Sequence, residues 1–428
     1  HPNLFELRIR IRKADTVIDE RVKRFGFRTF EVRNARFMLN GKTLRLRVVH
    51  AANCSSVMEP GRLRELKRLG HNSIFMHASH SGYNAPLFET LDEAGFVTLA
   101  ATDRSWPDPR TLAEVRRYRS HPCVIGYVTD SFGQLDSNGF IHNPFCTSDS
   151  YYPESVRSTK ELAFFKRRQQ LFAAVDPTRP YIPQGTGNFE GSYRAIHHYP
   201  CYDLNLLDHM MYFAPWAARP DPQLPQFVYE CGVHALYSKD ATHPEHTFEV
   251  EGGRQVKRML TYECASRYLG TAAFDNWREW DAVKARATIR GLRICGIDGF
   301  TPWITGDAFL QPSNTEKAQD IEDNRALSYT YFMLPFKEVM EDSWMRMNAW
   351  YYSLRAQAHW PWPERYGRGR VERTPSPLTP IYENEMQPFF ACIAGPPADV
   401  FSQAHNYAAG EDISKQIVAV NDTEGDAD

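Results

Sequence analysis

Between residues 44 and 305, strand-like apolar runs alternate with stretches of helical periodicity, and this alternation restricts the chain more than any other feature. Eight runs qualify: "LRLRVVHA", "HNSIFMHAS", "FVTLAAT", "CVIGYVTD", "RPYIPQG", "YRAIHHYP", "QFVYECG" and "IDGFTPWIT". Between them "GRLRELKRLG" repeats Leu63, Leu66 and Leu69 at helical spacing. The segments "APLFETLDEAG", "RTLAEVRRYRS", "STKELAFFKRRQQLFAAVD", "GGRQVKRMLTYECASRYLG" and "DAVKARATIRGLRICG" read as further helices. Alternating strands and helices argue for a parallel sheet with crossover helices, and eight such units close a (β/α)8 TIM barrel. Its chemistry would sit at the C-terminal ends of the strands.

The flanks read differently. "LFELRIRIRKADTVIDERVKRFGFRTFEVR" alternates apolar and charged residues at period two, the pattern of antiparallel strands covering one apolar face. Two or three strands cannot bury that face alone, so the segment reads as the end of a β-sandwich. The C-terminal "PFFACIAGPPADVFSQAHNYAAGEDISKQIVAVNDTEGDAD" reads as strand, turn and strand, and "HWPWPERYGRGRVERTPSPLTP" before it as an extended linker. Both ends look like parts of a longer protein.

Fifty basic residues against 52 acidic ones leave a net charge of −2, with no run of one sign long enough to track a phosphate backbone or an anionic membrane. Nucleic-acid and membrane partners are not expected. No apolar run approaches the ~20 residues of a bilayer span. The eight cysteines are scattered without C-x-x-C pairs, so they suggest neither a zinc site nor a compartment.

Glu230 ends the short run "PQFVYECG", where a barrel places nucleophiles and bases, although a solvated strand-end glutamate would look the same. Trp303 in "GIDGFTPWITGD" holds the corresponding place on the last strand and could stack on a sugar ring or plug the core. Aromatic residues make up 13% of the chain, and several, including Trp216 in "HMMYFAPWAARP", lie in polar surroundings that suit the apolar faces of sugars. His71, His77 and His80 cluster around the second run; imidazoles there more often contact substrate than hold zinc, and His80 is a candidate sugar contact. Neither a metal nor a cofactor is expected. "GTGNFEG" lacks the spacing of a dinucleotide loop, and "HPEHTFE" that of a metalloprotease helix.

"RFGFRTFEVRNARFMLNGKTLRLR" resembles the junction of the immunoglobulin-like domain and barrel in family 2 glycoside hydrolases. In the same order, "LGHNSIFMHASHSGYNAPLFETLDEAGFVTLA", "HPCVIGYVTD", "DPTRPYIPQG", "HHYP", "PQFVYECG" and "GFTPW" resemble that family's successive strand motifs over roughly residues 20 to 310. The resemblance implies immunoglobulin-like strands over 1–37, a barrel over 38–355, a linker over 356–385 and a second partial sandwich over 386–428. It also implies a β-galactosidase-like glycosidase acting on a carbohydrate, with Glu230 as nucleophile, His198 and Tyr199 as sugar contacts and Trp303 as aromatic platform.

The chain departs from the family pattern at its acid. The family's fourth strand ends in Asn-Glu, and Ser131 and Phe132 stand there; Phe75 and Met76 occupy the neighbourhood of an expected Arg. Retention requires two carboxyls about 5 to 5.5 Å apart, inversion ~6.5 to 9.5 Å. Asp130 shares the face of position 132, one pleat back, and is the leading acid candidate, followed by Asp149, Asp136 and His142 in the insert "GQLDSNGFIHNPFCTSDSYYP". The competing expectation is a carbohydrate-binding protein on a barrel that has lost its acid.

Overall fold

The structure is a computed structural model describing residues 3–50, 61–75, 85–102, 109–129, 159–183, 194–198, 214, 217–218, 223–233, 247–250, 254–257, 273–303, 310–312, 373–375, 379–402 and 407–423. Strands β1 (Phe5–Lys13) and β2 (Thr16–Phe25) form an antiparallel hairpin. Each strand alternates as expected, but the register sets Leu7, Ile9 and Ile11 opposite Lys23, Arg21 and Asp19, and Arg8 opposite Val22. The two apolar rows therefore lie on opposite faces. The hairpin has no single apolar face, and both strands are exposed.

Strands β3 (Phe30–Arg33), β4 (Arg36–Leu39) and β5 (Lys42–Thr43) form an antiparallel meander. Asn40 (φ 52°) and Gly41 (φ 79°) supply the positive φ pair that a two-residue hairpin turn favours. Phe30 and Phe37 stack at 5.9 Å, and Phe37 meets Phe227 edge-on at 6.4 Å. The meander thereby closes the floor of the sheet that follows.

All eight expected runs are strands: β6 (Leu46–His50), β7 (Ser73–Phe75), β8 (Val97–Thr102), β9 (Val124–Thr129), β10 (Tyr181–Pro183), β11 (Arg194–His198), β12 (Gln226–Val233) and β15 (Gly299–Trp303). The crossover helices are α1 (Arg62–Arg68), α2 (Ala85–Ala94), α3 (Pro109–Tyr118), α4 (Thr159–Val175) and α5 (Ala273–Ile294). Every pairing is parallel, in the order β10-β9-β8-β7-β6-β15-β12-β11. That is the order of an eight-stranded barrel opened between its fifth and sixth strands. Leu46, Val48, Phe75, Leu99, Val128, Ile182 and Phe227, drawn from both sides of β6, share one core cluster, so the sheet is curled and TIM-like. An outer cluster joins Val49, Ile74, Tyr127, Val228 and Phe300 to helix residues such as Leu66, Phe88, Val115, Phe172 and Leu292. Gly299 is needed for close approach: a Cβ there would lie 2.5 Å from the Phe227 ring.

Two expected segments fold differently. The stretch read as a helix from Gly252 onward contains β14 (Arg254–Lys257), paired antiparallel with β13 (Thr247–Val250). Two adjacent glycines suit a turn better than a helix, and alternation in "TFEV" and "RQVK" then favours strands. In the stretch read as an extended linker, β17 (Arg373–Pro375) pairs with β16 (Leu310–Pro312), and α6 (Thr379–Glu385) buries Thr379, Tyr382 and Glu385. Arg290 of α5 donates to Glu385 at 2.6 and 2.9 Å, and Tyr382 joins the outer cluster.

The final hairpin, β18 (Phe389–Ala394) and β19 (Gln416–Asn421), seats against the N-terminal ends of β6 and β15. There Asp422 lies 2.9 Å from Arg293, 3.5 Å from Arg47 and 3.8 Å from Arg45. Among the described residues no helix is long and apolar enough to cross a membrane.

Candidate active site

At the C-terminal end of the parallel sheet, strand register defines positions. On β11 and β12, Ile196 pairs with Val228, His197 with Glu230 and His198 with Cys231, so β12 absorbs one extra residue between Val228 and Cys231. A regular strand puts residues three apart on opposite faces, yet Val228 and Cys231 both lie in the outer cluster. On the other side of β12, Trp303 at the end of β15 is level with Val233. Glu230, His198 and Trp303 are therefore on adjacent strands at the end where barrels place their chemistry. Asp130, Tyr199, His80, Trp216, Asp149, Asp136 and His142 lie outside the described residues. Among the described residues no group of His, Cys, Asp and Glu is arranged to hold a metal.

The opposite end is fixed by buried polar residues that sequence reasoning did not single out. Asp92 of α2 accepts His121 Nδ1 at 2.7 Å and the Cys123 backbone N–H at 2.8 Å, which anchors the start of β9. Asp176 accepts four hydrogen bonds: the Tyr127 hydroxyl (2.8 Å), the Thr178 N–H (3.0 Å) and hydroxyl (2.6 Å), and Arg179 (2.6 Å). Burial works against its charge, but the bonds from Thr178 and the nearby Arg179 and Tyr127 hold the carboxyl below the usual range. The same burial pushes the Tyr127 hydroxyl up.

Arg179 also donates to the carbonyls of Val124 (2.7 Å) and His121 (2.9 Å), and Arg28 to those of Pro122 (2.8 Å) and Val124. Burial, followed by repulsion from Arg179, lowers Arg28 to about 10.

Asp298 plays the same part for β6, β12 and β15. It accepts Arg36 at 2.8 Å, Arg45 at 2.5 Å and the Gln226 N–H at 2.9 Å. Asn72 bridges the β6–β7 junction, accepting from the Arg47 N–H (2.9 Å) and donating to the Arg45 carbonyl (2.7 Å). His71 packs its ring 5.4 Å from Tyr382, and burial lowers its pKa to about 3. It is a buried neutral imidazole at the sheet's N-terminal end, which removes it from the histidine cluster read around the second strand. The available signal was positional: "LGHN" and "DPTRP" stand immediately before a strand, "HP" one residue before one, and "GIDG" runs into one.

The chain is 30% identical over 106 residues to a protein of Formosa agariphila named "Putative beta-glucuronidase"; the match covers 23% of this chain and 13% of that protein. A family 2 β-galacturonidase structure from Eisenbergiella tayi, bound to glycerol, aligns with a TM-score of 0.43 and 18% identity over 71% of this chain and 50% of that one. The Parabacteroides merdae β-glucuronidase structure gives 0.43 and 21%, over 71% and 39%. The chain thus spans half or less of the length of each of these proteins. No family model matches it. Its resemblance to family 2 glycoside hydrolases of the glucuronidase and galactosidase kind extends over about 70% of the chain.

Proposed function

We propose that the curled sheet is a closed (β/α)8 barrel, completed by pairing of its fifth and sixth strands, and that it hydrolyses a β-linked glycoside through Glu230. The single supporting observation is the register of β11, β12 and β15 at their C-terminal ends. Counting back one position from Cys231, an outer-cluster residue, assigns position 230 to the inner face. By the same count His197, level with Glu230, has the sugar-facing position, and His198 lies one place beyond it. Trp303 and Tyr199 complete the sugar contacts, with Trp216 and His80 on neighbouring loops. The N-terminal and C-terminal antiparallel sheets are parts of immunoglobulin-like domains in this reading.

In the proposed reaction the Glu230 carboxylate attacks the anomeric carbon as the bond to the leaving oxygen breaks. Asp130, or failing it Asp149, Asp136 or His142, delivers the proton to that oxygen. Water then cleaves the glycosyl ester, returning the carboxylate and releasing the sugar. Alternation from Val128, a member of the inner cluster, supports Asp130 as the first choice.

A second reading, a sugar-binding barrel without turnover, is favoured by one observation: Ser131 and Phe132 stand where the family carries Asn-Glu. A panel of dinitrophenyl and methyl β-glycosides of galactose, glucuronate and galacturonate separates the two. The hydrolase releases dinitrophenol at a rate that Glu230→Gln abolishes. Sugar binding with no release from any of the activated substrates supports the second reading.

A further inference from the structure

At the N-terminal end of β9 and β10, away from the proposed catalytic mouth, a groove of about 610 Å³ is lined by Lys23, Arg116, Arg117, Arg119, Asp176 and Arg179 among others. Five cations face one carboxylate, on a chain whose charges otherwise nearly cancel. That carboxylate is already engaged, since Asp176 accepts four hydrogen bonds from Tyr127, Thr178 and Arg179. Lys23, Arg116, Arg117 and Arg119 are exposed, and none forms an ion pair among the described residues. Arg116 and Arg117 end α3, where cations suit the helix dipole. That accounts for two of the five; the others arrive from the hairpin, from the turn after α3 and from the turn after α4. Arg119 is held in place by a 2.7 Å bond to the Val175 carbonyl.

We infer that this groove is a second carbohydrate site, one that binds an acidic oligosaccharide bearing carboxylates or sulfates along its length. Guanidinium groups match such anions with paired donors, and the Ser120 and Thr178 hydroxyls beside them suit sugar hydroxyls. Among the described residues the lining contains no aromatic ring on which a base could stack, as single-stranded nucleic acid would require. It is shallow and open, and its apolar members are Val175 and Pro177, so it lacks the apolar face that inserts into a bilayer. The choice of a glycan rests on the proposed glycosidase reading, in which the groove holds an anionic chain while the mouth works on it.

The test is calorimetric titration of the full chain with an oligogalacturonide, a sulfated dextran, neutral dextran, a single-stranded DNA oligomer and anionic lipid vesicles. The wild type is compared with Lys23→Gln/Arg116→Gln/Arg117→Gln, whose three positions are exposed. Expected are salt-sensitive binding of an acidic glycan, no binding of neutral dextran, and a loss of at least about tenfold in the triple variant, as a charge-dominated contact requires. Unaltered hydrolysis of small aryl glycosides by the triple variant places the groove apart from the mouth. Undiminished glycan binding in the variant overturns the inference, as does tighter binding of DNA or vesicles than of either acidic glycan. If aryl glycosides are not hydrolysed while the variant still loses glycan binding, the glycosidase reading fails and the groove stands.

Discussion

Replacing Asp176 by Asn tests how the N-terminal end of the parallel sheet is held. The side chain is buried at 3% exposure, and each carboxylate oxygen accepts two bonds. Asn retains one carbonyl oxygen, so its NH2 group must face either the Thr178 donors or the Tyr127–Arg179 pair. The charge-assisted bond to Arg179 is worth ~1.5–3 kcal/mol, and setting a donor against a donor adds ~1 kcal/mol. Arg179 keeps its carbonyl partners on Val124 and His121 and is not stranded, so the loss stays below the ~3–5 kcal/mol of a fully orphaned buried charge. The expected cost is about 3 kcal/mol, a fall in melting temperature of about 6–12 °C at ~2–4 °C per kcal/mol.

Circular dichroism melts at pH 7 read this directly. The pH dependence adds a second test. Asp176 titrates below its unfolded value of ~3.9, so its contribution is complete above that pH and disappears as the pH falls through the folded-state pKa. The gap between wild type and variant should therefore close in strong acid. A shift under ~2 °C at pH 7, or a gap that is unchanged at low pH, would refute the reasoning.

Two further outcomes concern the same end of the sheet. Gly70 has φ +87°, and a Cβ there would lie 2.2 Å from the Met386 carbonyl oxygen, whereas Gly41 at φ +79° faces open space. Gly41→Ala should cost only the ~1 kcal/mol of a left-handed residue, while Gly70→Ala must also displace the segment around Met386 and expose the final hairpin to limited proteolysis. His71 titrates at about 3 in the folded chain, so the unfolded chain binds a proton that the folded one refuses between roughly pH 6.5 and 3. His71 should therefore make stability fall with pH in that window by up to ~1.4 kcal/mol per unit, a slope that His71→Phe removes in urea titrations at pH 4.5 and 7.

Hydrophobic period is a local property, so all eight strands of the parallel sheet are legible in the sequence. Phase is not legible in the same way. Plain alternation from the inward Phe227 would send position 230 outward, and the inward place proposed for it rests on the extra residue between Val228 and Cys231. The same kind of error gave the N-terminal hairpin an apolar face that its cross-strand register denies it. The motifs that carry the family resemblance proved to hold strand starts together. Arg28 of "GFR", His121 of "HP", and Asp176 and Arg179 of "DPTRP" all meet around the start of β9. They therefore report the scaffold more directly than the chemistry. The basic groove was only partly marked: Arg116, Arg117 and Arg119 stand together at the end of α3, whereas Lys23 and Arg179 join them only through the fold.

Trapping with a 2-deoxy-2-fluoro β-glycoside carrying a dinitrophenyl leaving group tests the central claim most directly, since such a leaving group needs little help from an acid. Mass spectrometry of the digested full chain should find one glycosyl adduct, on the peptide containing Glu230, and none in Glu230→Gln. A folded chain that turns over aryl glycosides yet carries its label on another residue, or carries none, would contradict the account.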